Sequence, residues 1–259
     1  MSLEMSSLSI LGIRVHVAHM SQVLDLMETW IWEKGSCKYI VATGMHGVME
    51  ARRHPEFKHI IESAALLVPD GYSLMKIARF RGFKIKKRVS GPDLMWEACK
   101  RAEAQGYRVF FYGDTPETLQ ALTIKLKESF PNLLIAGFYS PPFRPLTEEE
   151  DRTIVSIINS AQADMLWVGL GLPKQEQWMN DHIDRLNVPV AVGVGAAFKF
   201  LSGRVKRAPA WIGNNGFEWL WRLAVEPRRV WRRVFIDGPQ FMICIARESL
   251  DLARLPKTK

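Results

Sequence analysis

Four apolar stretches of this chain run directly into residues able to hold an anion or move a proton. Thr43, Gly44, Met45, His46 and Gly47 close the first, Asp70 and Gly71 the second, and Gly113, Asp114 and Thr115 the third. The fourth ends in GLGLPKQEQW, which carries Gly169, Gly171, Lys174, Gln175, Glu176 and Gln177. In open parallel sheets ligands bind at the carboxyl ends of the strands, so these are the first places to look for a site. A carboxylate ending an apolar strand is desolvated, and its pKa rises toward the range of a general base. Asp70 is therefore the candidate proton acceptor, with a turn-forming Asp-Gly as the competing reading. His46 either donates to a phosphate, shuttles a proton or caps a helix. The segment RFRGFKIKKRVSG (79–91) carries six basic residues and no acid. Within it Arg88 sits beside the small Ser90-Gly91 turn, where an anion can approach backbone N–H groups and a guanidinium together. For the other cations of that segment a solvated loop accounts equally well.

Other chemistries are poorly served. GLGLPK and GVGAAF both lack the third glycine of a dinucleotide fingerprint, and no Walker A pattern occurs. No two aspartates sit two apart, so the DxD element that holds a divalent metal in many sugar-nucleotide transferases is missing. If a diphosphate departs, arginines rather than a metal are expected to stabilise it. Cys37, Cys99 and Cys244 lie far apart with no CxxC, as reduced cytosolic thiols would. No cofactor is called for by any of these patterns.

Candidate residues of this kind need strands to place them, and six runs qualify: KYIVAT (38–43), ALLVPD (65–70), RVFFYGD (108–114), LLIAGFYS (133–140), ADMLWVGL (163–170) and VPVAVGVG (188–195). Segments of helical periodicity, such as PETLQALTIKLKESF, follow them. This alternation predicts an α/β, Rossmann-like, largely parallel sheet with helices on both faces. Asp114 and Thr115 can cap a helix whose first residue is Pro116, and Pro173 is expected to play the same part after GLGL. SILGIRVHV alternates and predicts a hairpin or edge strand.

At 259 residues, 47% hydrophobic and 24% charged, the chain has the composition of a folded globular protein with one or two domains. A disulfide-stapled miniprotein and a disordered chain are excluded. The start of the chain shows no secretory signal, and no apolar run approaches the roughly 18 residues of a membrane span. The excess of 35 basic over 27 acidic residues, +8, is local. Residues 199–233 hold nine Lys or Arg against Glu218 and Glu226, a balance of +7. The pattern also changes there. An α/β catalytic core over 1–203 is expected to give way to a basic, Trp-rich helical appendage over 204–259, with two helices broken at Pro227. Arg207, Arg222, Arg228, Arg229, Arg232 and Arg233 are interleaved with Trp211, Trp219, Trp221 and Trp231. Such a mixture suits an anionic membrane surface. The competing readings are a helix pair packed on the sheet, or phosphate contact with base stacking, although no nucleic-acid-binding motif is present. Tryptophans left exposed after folding would serve either lipid contact or assembly into a homo-oligomer.

Taken together and in order, VPDG (68–71), KRVSGPDL (87–94), FFYGDTPETL (110–119), GLGLPKQEQW (169–178), GVGAAFKFLSGRVKRAPAW (193–211) and GFEWLWRLAVEPRRVWRR (216–233) resemble the WecG/TagA/CpsF glycosyltransferases over most of the chain. The resemblance implies an inverting, metal-independent transfer of a sugar from a UDP-sugar to a polyprenyl-diphosphate-linked saccharide. The setting it implies is the inner face of the cell membrane, in bacterial cell-surface polysaccharide synthesis. By position, Asp70 resembles the family's catalytic base and Arg88 the arginine associated with the diphosphate. Thr43 matches the threonine near the nucleotide-sugar, and Gln175 falls in the PKQE segment lining that pocket. Arg222, Arg229 and Arg232 match appendage arginines that close over the site at the membrane. Gly113 joins the substrate-binding candidates through its strand-end motif. Where the family loop often reads Thr-x-Asn, this chain has Met45, and the neighbouring His46 is the residue able to substitute for the amide. Two rivals remain at this point: a Rossmann oxidoreductase using GVGAAF, and a non-enzymatic lipid- or nucleic-acid-binding module.

Overall fold

Each of the six apolar runs forms a strand in the computed structural model, which describes residues 5–85, 87–209, 212–213 and 216–254. Lys86 of the basic segment and Trp211 of the appendage lie outside the described residues, as does the side chain of Arg229. The strands are β3 (Lys38–Thr43), β4 (Leu66–Pro69), β5 (Arg108–Gly113), β6 (Leu134–Tyr139), β7 (Met165–Gly169) and β8 (Val190–Gly193). They pair in parallel in the order β4-β3-β8-β7-β5-β6. Ahead of them β1 (Ser7–Ile10) and β2 (Ile13–His16) form an antiparallel hairpin. Its turn residues Leu11 and Gly12 both have positive φ, at 52° and 76°, as a tight hairpin turn requires.

A parallel sheet is apolar on both faces because crossover helices cover both, and the strand residues divide accordingly. Tyr39, Val41, Phe110, Tyr112, Leu166 and Val168 enter one core with the hairpin and with α2 (Met45–Arg53), α3 (Pro55–Glu62), α4 (Tyr72–Phe80), α7 (Glu148–Ser160) and α8 (Lys174–His182). Ile40, Val68, Phe111, Trp167 and Val192 enter the other with α1 (Met20–Glu33), α5 (Gly91–Gln105), α6 (Pro116–Ser129) and α9 (Ala197–Leu201). Helix starts carry the expected caps. Thr115 accepts from the Thr118 N–H at 3.3 Å with Pro116 at the first helical position, and Ser90 caps α5 through the Asp93 N–H. Pro173 departs from expectation. It precedes α8 as the N-cap residue instead of opening the helix.

Among the described residues the appendage forms α10 (Glu218–Val225), α11 (Pro227–Arg232) and α12 (Gly238–Arg254), one helix beyond the two expected. α10 and α11 do break at Pro227, but a π-turn over Arg233–Asp237 leads on into α12. Pro239 occupies the first turn of α12, where a missing N–H leaves no bond unmade. The third helix ties the appendage down: Phe241 is 1% exposed within the first core. The Asp237 carboxylate takes Arg53 at 2.5 Å and His46 at 2.8 Å, and Glu248 takes Arg81 at 2.5 Å and the Leu11 N–H at 2.8 Å. Arg207 is paired with Asp93, and Glu218 with Arg88. Two of the described appendage tryptophans stay at the surface. Trp219 and Trp231 are 47% and 46% exposed, while the Trp221 indole donates to the Lys206 carbonyl. Among the described residues no helix is long and apolar enough to cross a membrane.

Candidate active site

The carboxyl ends of β3, β4, β7 and β8 and the helices α10, α11 and α12 enclose a cleft of about 1100 Å³. It is lined by Met45, His46, Asp70, Arg88, Gln175 and Glu176 from the α/β part, and by Glu218, Arg222 and Arg233 from the appendage. Two chain segments cross at its floor. The Asp70 N–H continues the β3–β4 ladder by donating to the Thr43 carbonyl at 2.8 Å. Gly44 and Gly71 then approach so closely that a Cβ on Gly71 would lie 3.1 Å from the Gly44 Cα. Thr43 is 1% exposed, and its hydroxyl fills the space that Gly47 leaves open, where a Cβ would come within 2.0 Å of Oγ1.

Asp70 is partly buried at this crossing. Desolvation raises its pKa above the ordinary carboxylate range, and the nearby negative charge of Glu218 acts in the same direction. Arg88, Arg222 and the Gly91 N–H oppose the rise without cancelling it. This is the electrostatic condition of a general base: a carboxylate more basic than in water, with cations beside it that favour its ionised form. Arg88 donates to the Asp70 carbonyl at 3.3 Å and bonds the Glu218 carboxylate. Burial works against its charge, but Asp70 and Glu218 outweigh that effect and hold it cationic. Across the cleft the Arg222 guanidinium lies 5.4 Å from the centre of the Phe200 ring, and its buried Nε has no hydrogen-bond partner. A buried guanidinium N–H without an acceptor suits an anion that enters from outside.

The remaining expected residues divide. Gln175 is 3% exposed, and its Oε1 accepts from the Gly171 and Gly195 N–H groups at 3.2 and 2.9 Å. It therefore stitches the β7 and β8 loops together as well as lining the cleft. His46 reaches the cleft with Nδ1 held by Asp237. Burial and the charge of Arg233 lower its pKa despite that carboxylate, so near neutral pH the ring is neutral with Nε2 as an acceptor. Gly113 is not among the residues lining the cleft. Its φ of +121° and the approach of Gly169, whose carbonyl carbon would lie 2.7 Å from a Cβ, explain a glycine there by strand packing alone. Arg232 is exposed and sits 6.0 Å over the neighbouring Trp231 ring.

Two acids in the cleft carry more weight than the sequence suggested. Glu218 is one of two carboxylates in a strongly basic segment, and that isolation is the signal that could have marked it. Glu176, adjacent to Gln175, is 0% exposed; its Oε1 accepts from Gln175 Nε2 at 2.8 Å and its Oε2 has no partner. Burial pushes its pKa up from 4.5 to about 7. Because the folded state disfavours the ionised form, this contribution to stability is complete below the unfolded value of 4.5 and is lost as pH rises through about 7. Glu176→Gln should accordingly be more stable than the parent at about pH 8.5, by roughly 2–3 kcal/mol, and differ little at about pH 5. Urea unfolding at the two pH values checks this; an equal effect at both would remove the buried charge as the cause.

The fold is an α/β one with a parallel sheet, and its cleft lies at the strand carboxyl ends, where a carboxylate stands beside arginines. The model of the Glycosyl transferase WecG/TagA/CpsF family matches residues 8–255, and the chain belongs to that family; it is a glycosyltransferase. Relatives named N-acetylglucosaminyldiphosphoundecaprenol N-acetyl-beta-D-mannosaminyltransferase include one from Bacillus spizizenii, 28% identical, covering 92% of this chain and 90% of the relative. One from Bacillus subtilis is 30% identical over 75% of this chain and 73% of its own. One from Staphylococcus aureus is 28% identical over 96% of both. Membership in this family leaves no support for the oxidoreductase and non-enzymatic readings.

Proposed function

We propose that the protein transfers a sugar of the N-acetylhexosamine type from a UDP-sugar to a polyprenyl-diphosphate-linked saccharide, with inversion and without a metal ion. The observation that carries this reading is Asp70, a desolvated carboxylate flanked by Arg88 and Arg222 in a cleft large enough for a nucleotide-sugar. The acceptor hydroxyl attacks the anomeric carbon, its proton passes to Asp70, and the bond from that carbon to the diphosphate oxygen breaks to release UDP. Arg88, and Arg222 with its unpartnered Nε, are placed to neutralise the charge that develops on the leaving oxygens. The names of the relatives support an acceptor of diphosphoprenol-linked N-acetylglucosamine, and with it a role in cell-surface polymer synthesis.

Access to such an acceptor is the part assigned to residues 204–259. Their cationic and exposed aromatic side chains lie on an anionic membrane from the cytoplasmic side, which makes the protein peripheral at the inner face. The test is a thermal-shift panel of UDP-sugars followed by transfer to a short-chain prenyl-diphosphate N-acetylglucosamine, with and without EDTA. The expected result is a rise in Tm with a UDP-sugar and product formation that EDTA leaves unchanged. No shift with any UDP-sugar and no product would reject the reading, and abolition by EDTA would reject its metal-free step.

A further inference from the structure

Glu218, the first residue of α10, sends its carboxylate away from solvent to the Arg88 guanidinium, and the two side chains are only 20% and 18% exposed. One turn further along α10, Arg222 stacks on Phe200 with its buried Nε unpartnered. Arg207, bound to Asp93, lines the same cleft. This is a cluster of cations in which one guanidinium is neutralised by a carboxylate from the appendage, while another holds an unused donor. A carboxylate matches a phosphate in charge sign and in its geometry toward a guanidinium. Its presence beside Asp70 is otherwise costly, since like charges at short range repel and raise the proton affinity of the base.

We propose that Glu218 is a placeholder: its carboxylate occupies on Arg88 the position of a donor phosphate and is displaced when the diphosphate binds. The proposal rests on the diphosphate reading above and adds to it the residue that competes with the donor. Exchange of one anion for another keeps a negative neighbour beside Asp70, so the base stays poised when the donor arrives. It also frees the start of α10 from Arg88 at that moment, which couples donor binding to the appendage. A fixed anchor, in contrast, would hold its ion pair throughout and make no difference to anion affinity.

Isothermal titration of the full-length protein with UDP and with inorganic pyrophosphate separates the two. Glu218→Gln should bind both about 10-fold more tightly than the parent, since the donor no longer competes with a charge, while Glu218→Asp stays within about threefold. In an Arg88→Gln background the gain from Glu218→Gln should vanish. Unchanged or weaker pyrophosphate binding by Glu218→Gln, or a gain that persists without Arg88, would overturn the proposal. Should Glu218→Gln lower the Tm enough to detach the appendage, Glu218→Ala is read by the same criteria. Tighter pyrophosphate binding with no UDP binding in any variant would support the placeholder and reject the nucleotide; no binding of pyrophosphate by the parent or any variant would reject the placeholder itself.

Discussion

Asp70→Asn should lower kcat for sugar transfer by about 10³-fold, within the range expected when a general base is removed, while KM for the donor changes little. The amide matches the carboxylate in size, so the Gly44–Gly71 crossing and the ladder bond from the Asp70 N–H to Thr43 are retained. Removal of a desolvated carboxylate should leave the Tm unchanged or slightly higher. The parent rate should fall as pH drops through the raised pKa of Asp70, because only the ionised form accepts the proton. That limb should disappear from the residual activity of the variant. Rates from UDP release, with circular dichroism as the folding control, decide the matter; turnover near the parental level would remove Asp70 from the base role.

A second large effect is expected at the membrane. Trp231 and Phe235 are 46% and 64% exposed on neighbouring turns of the appendage, where neither supports a core. If they enter the headgroup layer, each contributes about 1.5–2 kcal/mol, so Trp231→Ser with Phe235→Ser should weaken partitioning onto anionic vesicles by roughly a few hundred-fold. Transfer to a water-soluble, short-chain acceptor should be nearly unaffected. Sedimentation with vesicles of phosphatidylglycerol and phosphatidylcholine reports the partitioning. Unchanged sedimentation together with loss of a dimer in size-exclusion chromatography would assign this surface to self-association instead.

The parallel sheet was legible because strands covered on both faces read as uninterrupted apolar runs, and all six stand where KYIVAT to VPVAVGVG put them. The placement of the candidate residues was legible where it follows from topology. Thr43 ends β3, Asp70 directly follows β4, and Gln175 lies in the first turn of the helix after β7, so the rule for parallel sheets brings them together. Gly113 obeyed the same rule in sequence but ends β5, beyond β7 from the Asp70 side of the sheet. Its glycine answers to strand packing. What the sequence did not disclose are contacts between distant segments. Glu218 meets Arg88 across 130 positions, and Asp237 meets His46 across 191. No local pattern encodes such pairings. α12 was obscured for a different reason, since Gly238-Pro239 marks a helix start as readily as an end.

The configuration at the transferred sugar's anomeric carbon probes the chemistry at Asp70 most directly. In the proposed single displacement, with Asp70 as base, an α-linked donor gives a β-linked product. The one-bond C1–H1 coupling in the NMR spectrum of the isolated product should therefore report the β configuration. An α-linked product would mean that the donor bond is not displaced directly by an acceptor activated at Asp70, and would contradict the mechanism.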